Sequence, residues 1–144
     1  MESLPIYDLK EWMSVLDSFQ QDLLSQILVN RTEEEAIDIW LAAVGPDNTA
    51  TFGGNGKEDL LKSFKLEFYK FISKDEEYKD ERREFEGYVT VTKFFVVSFL
   101  SSTLSERLGV ASSVIAPLIV LVLGLIGKMG IKAYHSKLEK EIKK

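Results

Sequence analysis

The chain has 144 residues, of which 45% are hydrophobic and 28% are charged, and it contains no cysteine. This length and composition suit one folded domain and exclude an intrinsically disordered chain, and the lack of cysteine excludes disulfides, thiolate metal clusters and thiol nucleophiles. The net charge of −5 hides an asymmetry. Residues 1–60 have three basic and twelve acidic side chains, a net of −9, whereas residues 110–144 have six lysines and two glutamates, a net of +4.

Residues 9–27 carry an apolar stripe that predicts amphipathic helix. Apolar side chains recur there at steps of three and four residues, the period of an α-helix: Leu9, Trp12, Met13, Leu16, Phe19, Leu23, Leu24 and Ile27. The pattern fits one helix as far as Val29. It also fits two helices with a restart at Ser18, where Ser18 and Gln21 form a capping box.

The next helix has the clearest boundaries in the chain. Thr32 and Glu35 form a capping box, and three consecutive glutamates place negative charge in the first turn, where the helix dipole favours it. Gly45 as a left-handed C-cap and Pro46 as a helix stop predict the end of this helix. Trp40 lies on its apolar face and is predicted to pack in the core.

Residues 46–57 have the composition of a loop, which ends in Gly56-Lys57 and invites comparison with a phosphate-binding loop. That motif needs a glycine five residues before its Gly-Lys pair and a hydroxyl residue after the lysine. This chain has Thr51 and Glu58 at those positions. A turn before a helix therefore explains the segment better than a nucleotide site does.

A third helix is predicted after the loop, with an apolar face opposite a lysine-rich one. The apolar face consists of Leu60, Leu61, Phe64, Phe68, Phe71 and Ile72. Ser73 and Glu76 fit another capping box, which predicts a highly charged and largely exposed helix anchored by Tyr78 and Phe85.

Residues 88–104 contain threonine and valine, which favour a strand, but the run Phe94-Phe95-Val96-Val97 breaks the alternation of a half-buried strand. A lone strand would have no partner in this chain, so we predict a helix. Ser105–Gly109 predict a short turn with Gly109 as the C-cap.

The last helix is predicted to start near Ser112 or Ser113, with Pro117 about one turn in, where proline costs least. The nineteen residues from Gly109 to Gly127 carry no charge. The positions predicted to face a membrane or a protein core are Val114, Ile115, Leu118, Ile119, Leu121, Val122, Leu125 and Ile126.

Basic residues follow this apolar run directly. The predicted basic flank consists of Lys128, Lys132, Lys137 and Lys140. Basic residues collect on the cytoplasmic side of a membrane span, although a solvated face of a C-terminal helix also explains them. Glycines at 124, 127 and 130 repeat every third residue and predict the close approach of another helix.

The length of the apolar run allows two uses. Nineteen helical residues span about 28 Å, close to the roughly 30 Å hydrocarbon core of a bilayer. Eleven of residues 110–127 are Leu, Ile or Val, which favours insertion by roughly 5 kcal/mol, reduced by Pro117 and by the glycines and serines. The helix therefore enters a membrane, alone or as a hairpin with residues 88–104, or it is the buried centre of a soluble bundle. Lys93 is the main obstacle to a hairpin that spans twice.

These patterns predict an all-α fold, a compact domain of four to six helices with an apolar hairpin at 88–104/112–131. Residues 1–86 form the acidic amphipathic head, and residues 87–144 form the apolar hairpin with its basic tail, the two together making one structural unit. We predict that the last helix is a membrane anchor and that residues 1–107 fold by themselves. On the alternative of a core helix they should not.

No catalytic chemistry is expected. His135 is the only histidine, so it has no histidine partner for a metal site or a proton relay, and no nucleophile-elbow sequence accompanies it. The acidic front half repels nucleic acid, whose phosphates need clustered Lys and Arg. We predict no catalytic residue, no cofactor, no metal and no small-molecule substrate.

The function expected from these features is that of a small non-enzymatic protein. It would act at or in a membrane through the apolar helix or hairpin, with the N-terminal helices as an interaction or regulatory head. The alternative is a soluble adaptor or complex subunit with residues 110–127 as its buried central helix. The partner is a membrane or a protein, including a second copy of the chain. Because the N-terminus lacks the basic start and apolar run of a signal peptide, we expect the cytoplasmic face of a membrane, or the cytoplasm on the soluble alternative.

Overall fold

A computed structural model of the chain describes residues 4–44, 56–73, 75–87 and 92–143. Over these residues the chain forms eight α-helices and no β-strand, which confirms the predicted all-α class. The helices are α1 (Leu9–Met13), α2 (Ser18–Ile27), α3 (Glu33–Val44), α4 (Gly56–Ile72), α5 (Lys79–Glu86), α6 (Lys93–Leu108), α7 (Ser112–Met129) and α8 (Ile131–Ile142). Their number exceeds the expected four to six because two predicted helices are each divided by a break.

The first break divides the N-terminal stripe into α1 and α2. The restart lies where the sequence places it, but the N-cap of α2 is Asp17, whose carboxylate accepts a hydrogen bond from the Gln20 backbone N–H at 2.7 Å. The predicted capping box of Ser18 with Gln21 is wrong, since the Gln21 side chain instead donates to the Leu16 carbonyl at 2.7 Å. A carboxylate one residue earlier has taken the capping position.

The start of α3 confirms the predicted capping box. The Glu35 backbone N–H donates to the Thr32 hydroxyl at 3.2 Å, and the Thr32 backbone N–H donates to the Glu35 carboxylate at 3.0 Å. The bond from the Thr32 backbone N–H, together with one that the Thr32 hydroxyl donates to the same carboxylate at 3.1 Å, stabilises the ionised form and lowers the pKa of Glu35. The predicted helix stop at Gly45 and Pro46, and the predicted loop up to residue 55, lie outside the described residues, and α4 begins at Gly56.

Removal of the α3 cap should have a measurable cost. Thr32→Ala is expected to lower the free energy of unfolding by about 1 kcal/mol, because the N–H of Glu35 loses its acceptor. Thr32→Ser keeps the hydroxyl and is the matched control. Chemical denaturation of both variants measures the difference, and equal stability of the Ala and Ser variants would contradict the assignment.

The predicted capping box of Ser73 with Glu76 is wrong. Asp75 is the N-cap of a short 3-10 turn, Glu76–Tyr78, which precedes α5, and the Ser73 hydroxyl bonds His135. Tyr78 is fully buried as predicted, and so is Phe85 on α5. α4 and the 3-10 turn are further joined by the buried Arg82, a residue that the sequence did not single out. Its guanidinium donates to three backbone carbonyls, those of residues 70, 71 and 75.

The predicted helix at 88–104 is present as α6, displaced toward the C-terminus. It begins at Lys93, after the N-cap Thr92, whose hydroxyl accepts from the Phe95 N–H at 3.0 Å. Residues 88–91 lie outside the described part of the chain. The predicted turn from Ser105 continues as helix to Leu108, and Gly109 (φ 71°) forms the predicted left-handed C-cap. Only residues 109–111 separate α6 from α7, and the two helices pack side by side as the predicted hairpin.

The second break lies at Gly130. α7 starts at Ser112 as predicted, but the apolar stripe does not continue as one helix to its end, because Gly130 adopts φ 88° and ψ 153°. This conformation is open to glycine and costly for other residues. The turn allows α8 to leave the axis of α7 and to pack on α4 as well as on α7.

α7 lies at the centre of the fold. Helices α1, α3, α6 and α8 contact it directly, while α4 packs on α6 and α8. The aromatic face of α4 is buried as predicted, with Phe64, Phe68 and Phe71 at most 1% exposed. The core therefore extends from α7 outward through α6 and α8 to α4.

Candidate functional site: the apolar helix α7, its cover and its basic end

α7 is buried around its whole circumference in its central part. Every residue from 117 to 126 is buried, and so are seven of the eight predicted apolar positions: Ile115, Leu118, Ile119, Leu121, Val122, Leu125 and Ile126. The eighth, Val114, is half-buried near the start of the helix. Exposure begins only at the two ends of the helix, at its first two serines and at Lys128 and Met129.

α7 is also the one helix of the described residues that is long and apolar enough to cross a membrane. Its 18 residues have a mean hydropathy of 2.1, and 61% of them are buried inside the protein. An apolar helix of this kind has the same composition whether lipid or protein surrounds it. In this conformation protein surrounds it.

Glycines on α7 let the N-terminal segment approach closely, as their spacing predicted. A Cβ atom on Gly127 would lie 2.6 Å from the carbonyl oxygen of Tyr7, and a Cβ atom on Gly124 would lie 2.9 Å from the Cδ1 atom of Leu9. No atom lies within 4 Å of a Cβ placed on Gly130, which serves the turn into α8 instead. α1 and the residues before it therefore cover the C-terminal half of α7.

α3 covers another face of α7. Its residues Ala36, Ile37, Trp40 and Leu41 are buried, and the indole N–H of Trp40 donates to the Val114 carbonyl at 3.0 Å. Trp40 thus packs in the core as predicted, but the core in question includes α7. The aromatic residues of the head are consequently not packed among the N-terminal helices alone.

Pro117 leaves a backbone carbonyl of α7 without its helical partner. As the sixth residue of α7, it lies beyond the first turn, and its nitrogen cannot donate to the Ser113 carbonyl four residues earlier. The side-chain amide of Gln20 on α2 donates to that carbonyl at 3.0 Å. The proline alone indicates an unsatisfied carbonyl at residue 113, but only the packing of α2 identifies the donor.

The predicted basic flank divides into two paired and two unpaired lysines. Lys128 lies 2.9 Å and 3.0 Å from the two carboxylate oxygens of Glu33, which is only 4% exposed. Lys137 forms an ion pair with Glu34. Lys132 and Lys140 are exposed and form no ion pair within the described part of the chain. The acidic first turn of α3 is therefore joined to the basic end of α7 and to α8.

α8 is fixed to the body of the protein by its own buried face. Tyr134 and Leu138 are buried, and burial raises the pKa of the Tyr134 hydroxyl. Glu139 forms the predicted pair with Lys143 at 2.9 Å and also accepts a hydrogen bond from the Tyr69 hydroxyl at 3.1 Å. Both bonds, that of Lys143 foremost, lower the pKa of Glu139.

The structure places a serine beside the one histidine. The Ser73 hydroxyl lies 2.8 Å from Nε2 of His135, whose ring stacks on Tyr69 with centroids 4.9 Å apart. Nucleophilic catalysis by such a pair needs N–H donors aimed at the developing oxyanion. Ser73 follows the C-terminus of α4, where the helix presents carbonyl oxygens. The pair is therefore best explained as a structural contact between α4 and α8. Among the described residues, no group of three or more His, Asp or Glu side chains could hold a metal ion.

No protein-family model, no curated protein and no solved structure gives a match to this chain.

Proposed function

We propose that this is a non-enzymatic helical protein that acts at the cytoplasmic face of a membrane. We call the conformation described above, in which protein encloses α7, the closed state. Its basic end, Lys128 together with the lysines of α8, binds anionic headgroups. The α6–α7 hairpin is the apolar element that enters the bilayer. The acidic N-terminal helices are the regulatory head, because they cover α7 in the closed state.

The observation that carries this proposal is the order of residues along α7 and α8. A helix of 18 residues such as α7, whose one charged residue is Lys128 in its last turn, reaches about 27 Å, close to the thickness of the hydrocarbon core. Exposed lysines begin at its last turn and continue along α8. Anionic lipids of the cytoplasmic leaflet attract basic residues in this position. The charged residues of α6 that stand against its insertion are Lys93, Glu106 and Arg107, and they lie in its first and last turns, so that they can remain at the headgroup level.

Membrane insertion must be conditional if the proposal holds. α1, α3, α6 and α8 all bury apolar side chains against α7, and these side chains would face water if α7 left alone. Insertion therefore requires the cover to open. In the closed state only the basic end contacts the lipid.

A soluble adaptor or complex subunit is the second candidate function. The burial of residues 117–126 on all sides favours it, because a core helix needs no further partner. Several large apolar side chains at the surface would then be the contact points for a protein partner. They are Ile6, Phe19, Val29 and Phe94, each more than 60% exposed.

Removal of the unpaired lysines tests the membrane proposal. Replacing Lys132 and Lys140 by glutamine should weaken binding of the full-length protein to vesicles of phosphatidylcholine and phosphatidylglycerol. Each lysine contributes about 1 kcal/mol near such a surface, so we expect a roughly 30-fold rise in the apparent Kd. Vesicle flotation measures it.

The matched control replaces Lys79 and Arg83, two exposed cations of α5, by glutamine, which changes the net charge equally. The control should bind nearly as well as the original protein. Equal losses in both variants, or no flotation of the original protein, would count against the proposal. Absence of binding, with all of the cellular protein recovered in the soluble fraction, would favour the adaptor.

A further inference from the structure

The acidic first turn of α3 occupies the same lysines that a membrane would bind. Glu33 contacts Lys128 through both carboxylate oxygens, and Glu34 pairs with Lys137. These two ion pairs, which we call the α3 latch, join residues about a hundred positions apart in the chain. They connect the helix that covers α7 to the basic end of α7 and to α8.

The two members of the Lys128–Glu33 pair differ in their access to solvent. The Lys128 side chain is 69% exposed, whereas that of Glu33 is 6% exposed. Lys128 can therefore turn toward a surface outside the protein, but Glu33 cannot follow it without movement of α3. A buried carboxylate that loses its cation is strongly destabilised, so departure of Lys128 weakens the packing of α3 on α7.

We propose that an anionic lipid surface opens the protein by competing with Glu33 and Glu34 for Lys128 and Lys137. This inference rests on the proposed function and names its trigger. Lipid phosphates supply a dense negative surface with which the two lysines interact at the expense of the latch. Once the lysines have turned to the lipid, α3 loosens from α7. The face of α7 under Ile37 and Trp40 is then uncovered.

The α3 latch also explains why an acidic head and a basic tail occur in one chain. Glu33 and Glu34 repel an anionic surface while they hold the lysines, which keeps the closed protein from binding indiscriminately. A neutral surface offers the lysines no replacement for the two carboxylates. The trigger is therefore selective for anionic lipid.

The test compares the full-length protein with Glu33→Gln/Glu34→Gln and with a control, Glu84→Gln/Glu86→Gln. Both variants change the net charge from −5 to −3. Glu84 and Glu86 are exposed on α5 and form no ion pair with another described residue. The single variant Glu34→Gln changes only a half-exposed side chain, so it still tests the latch if the double variant folds poorly.

Two measurements are made with phosphatidylcholine–phosphatidylglycerol vesicles. The latch variant should bind at least about fivefold more tightly than the control, with Glu34→Gln between them, since the two lysines no longer have to leave Glu33 and Glu34. Amide hydrogen exchange of α3 in the original protein should be faster when it is bound to these vesicles than when it is free.

The outcomes separate this inference from the proposed function. If the original protein binds the vesicles but both double variants bind equally and exchange in α3 does not change, the latch mechanism is overturned and the membrane function stands. If the original protein does not bind anionic vesicles at all, both are overturned.

Discussion

A fragment of residues 1–107, which lacks α7 and α8, is expected to lose cooperative unfolding and to aggregate. Nine Leu, Ile and Val side chains of α7 are buried in the full-length protein. Burial of each contributes roughly 1.5–3 kcal/mol, so that their sum exceeds the 5–15 kcal/mol net stability of a typical domain. We therefore do not expect residues 1–107 to fold as a self-sufficient head.

The contacts between the acidic head and α7 also indicate that the head does not fold alone. Trp40 bonds the Val114 carbonyl of α7, Leu9 packs on Gly124, and Tyr7 lies against Gly127. Removal of α7 leaves these side chains facing water. A permanent membrane anchor would leave a head that folds alone. The packing of the head on α7 does not support that expectation.

Thermal melts followed by circular dichroism and by tryptophan fluorescence measure the effect. The control is a chain that ends at Ile142, which retains all eight helices and should melt as the full-length protein does. A soluble 1–107 fragment with one sharp transition in both signals would show that α7 is dispensable for the head, and conditional insertion would have to be abandoned for permanent anchoring.

Gly127→Ala is expected to destabilise the protein by about 1–3 kcal/mol. Glycine to alanine inside a helix normally gains roughly 0.5–1 kcal/mol, so the sign of the effect is itself diagnostic. The added methyl group would lie 2.6 Å from the Tyr7 carbonyl oxygen, closer than van der Waals contact permits. Because the obstacle is backbone, the N-terminal segment as a whole has to move away from α7.

Gly124→Ala is the matched comparison on the same helix. Its methyl group would approach the Cδ1 atom of Leu9 at 2.9 Å, an atom at the end of a flexible side chain that can rotate away. We therefore expect a smaller loss than at Gly127. Urea denaturation of the two variants gives both values. A stabilising effect at Gly127 would mean that Tyr7 does not lie against α7 in solution.

Features that depend on residues three or four positions apart were predictable from the sequence. The Thr32–Glu35 capping box and the left-handed Gly109 at the end of α6 are examples. Such interactions are settled by the geometry of one helical turn, whatever surrounds it. The errors at Ser18 and Ser73 are also local, because an aspartate near each serine offered a competing cap.

The candidate site was predictable only in part. The apolar positions of α7 and the basic flank could be recognised from composition, and the glycine spacing indicated a close neighbour. Neither the pairing of Lys128 with Glu33 nor that of Gln20 with the Ser113 carbonyl has a local signal, since each joins residues more than ninety positions apart. Only the arrangement of the helices brings these groups together.

The sequence by itself determined that residues 110–127 belong to an apolar helix that must be removed from water, because eleven aliphatic side chains without a charge leave no other stable state. It could not determine what removes the helix from water, because a lipid bilayer and a protein core both stabilise a helix of this composition. The tertiary structure decided this for the closed state. Amphipathic helices α1, α3, α6 and α8 enclose the helix, and the carboxylates of α3 hold two lysines at its basic end.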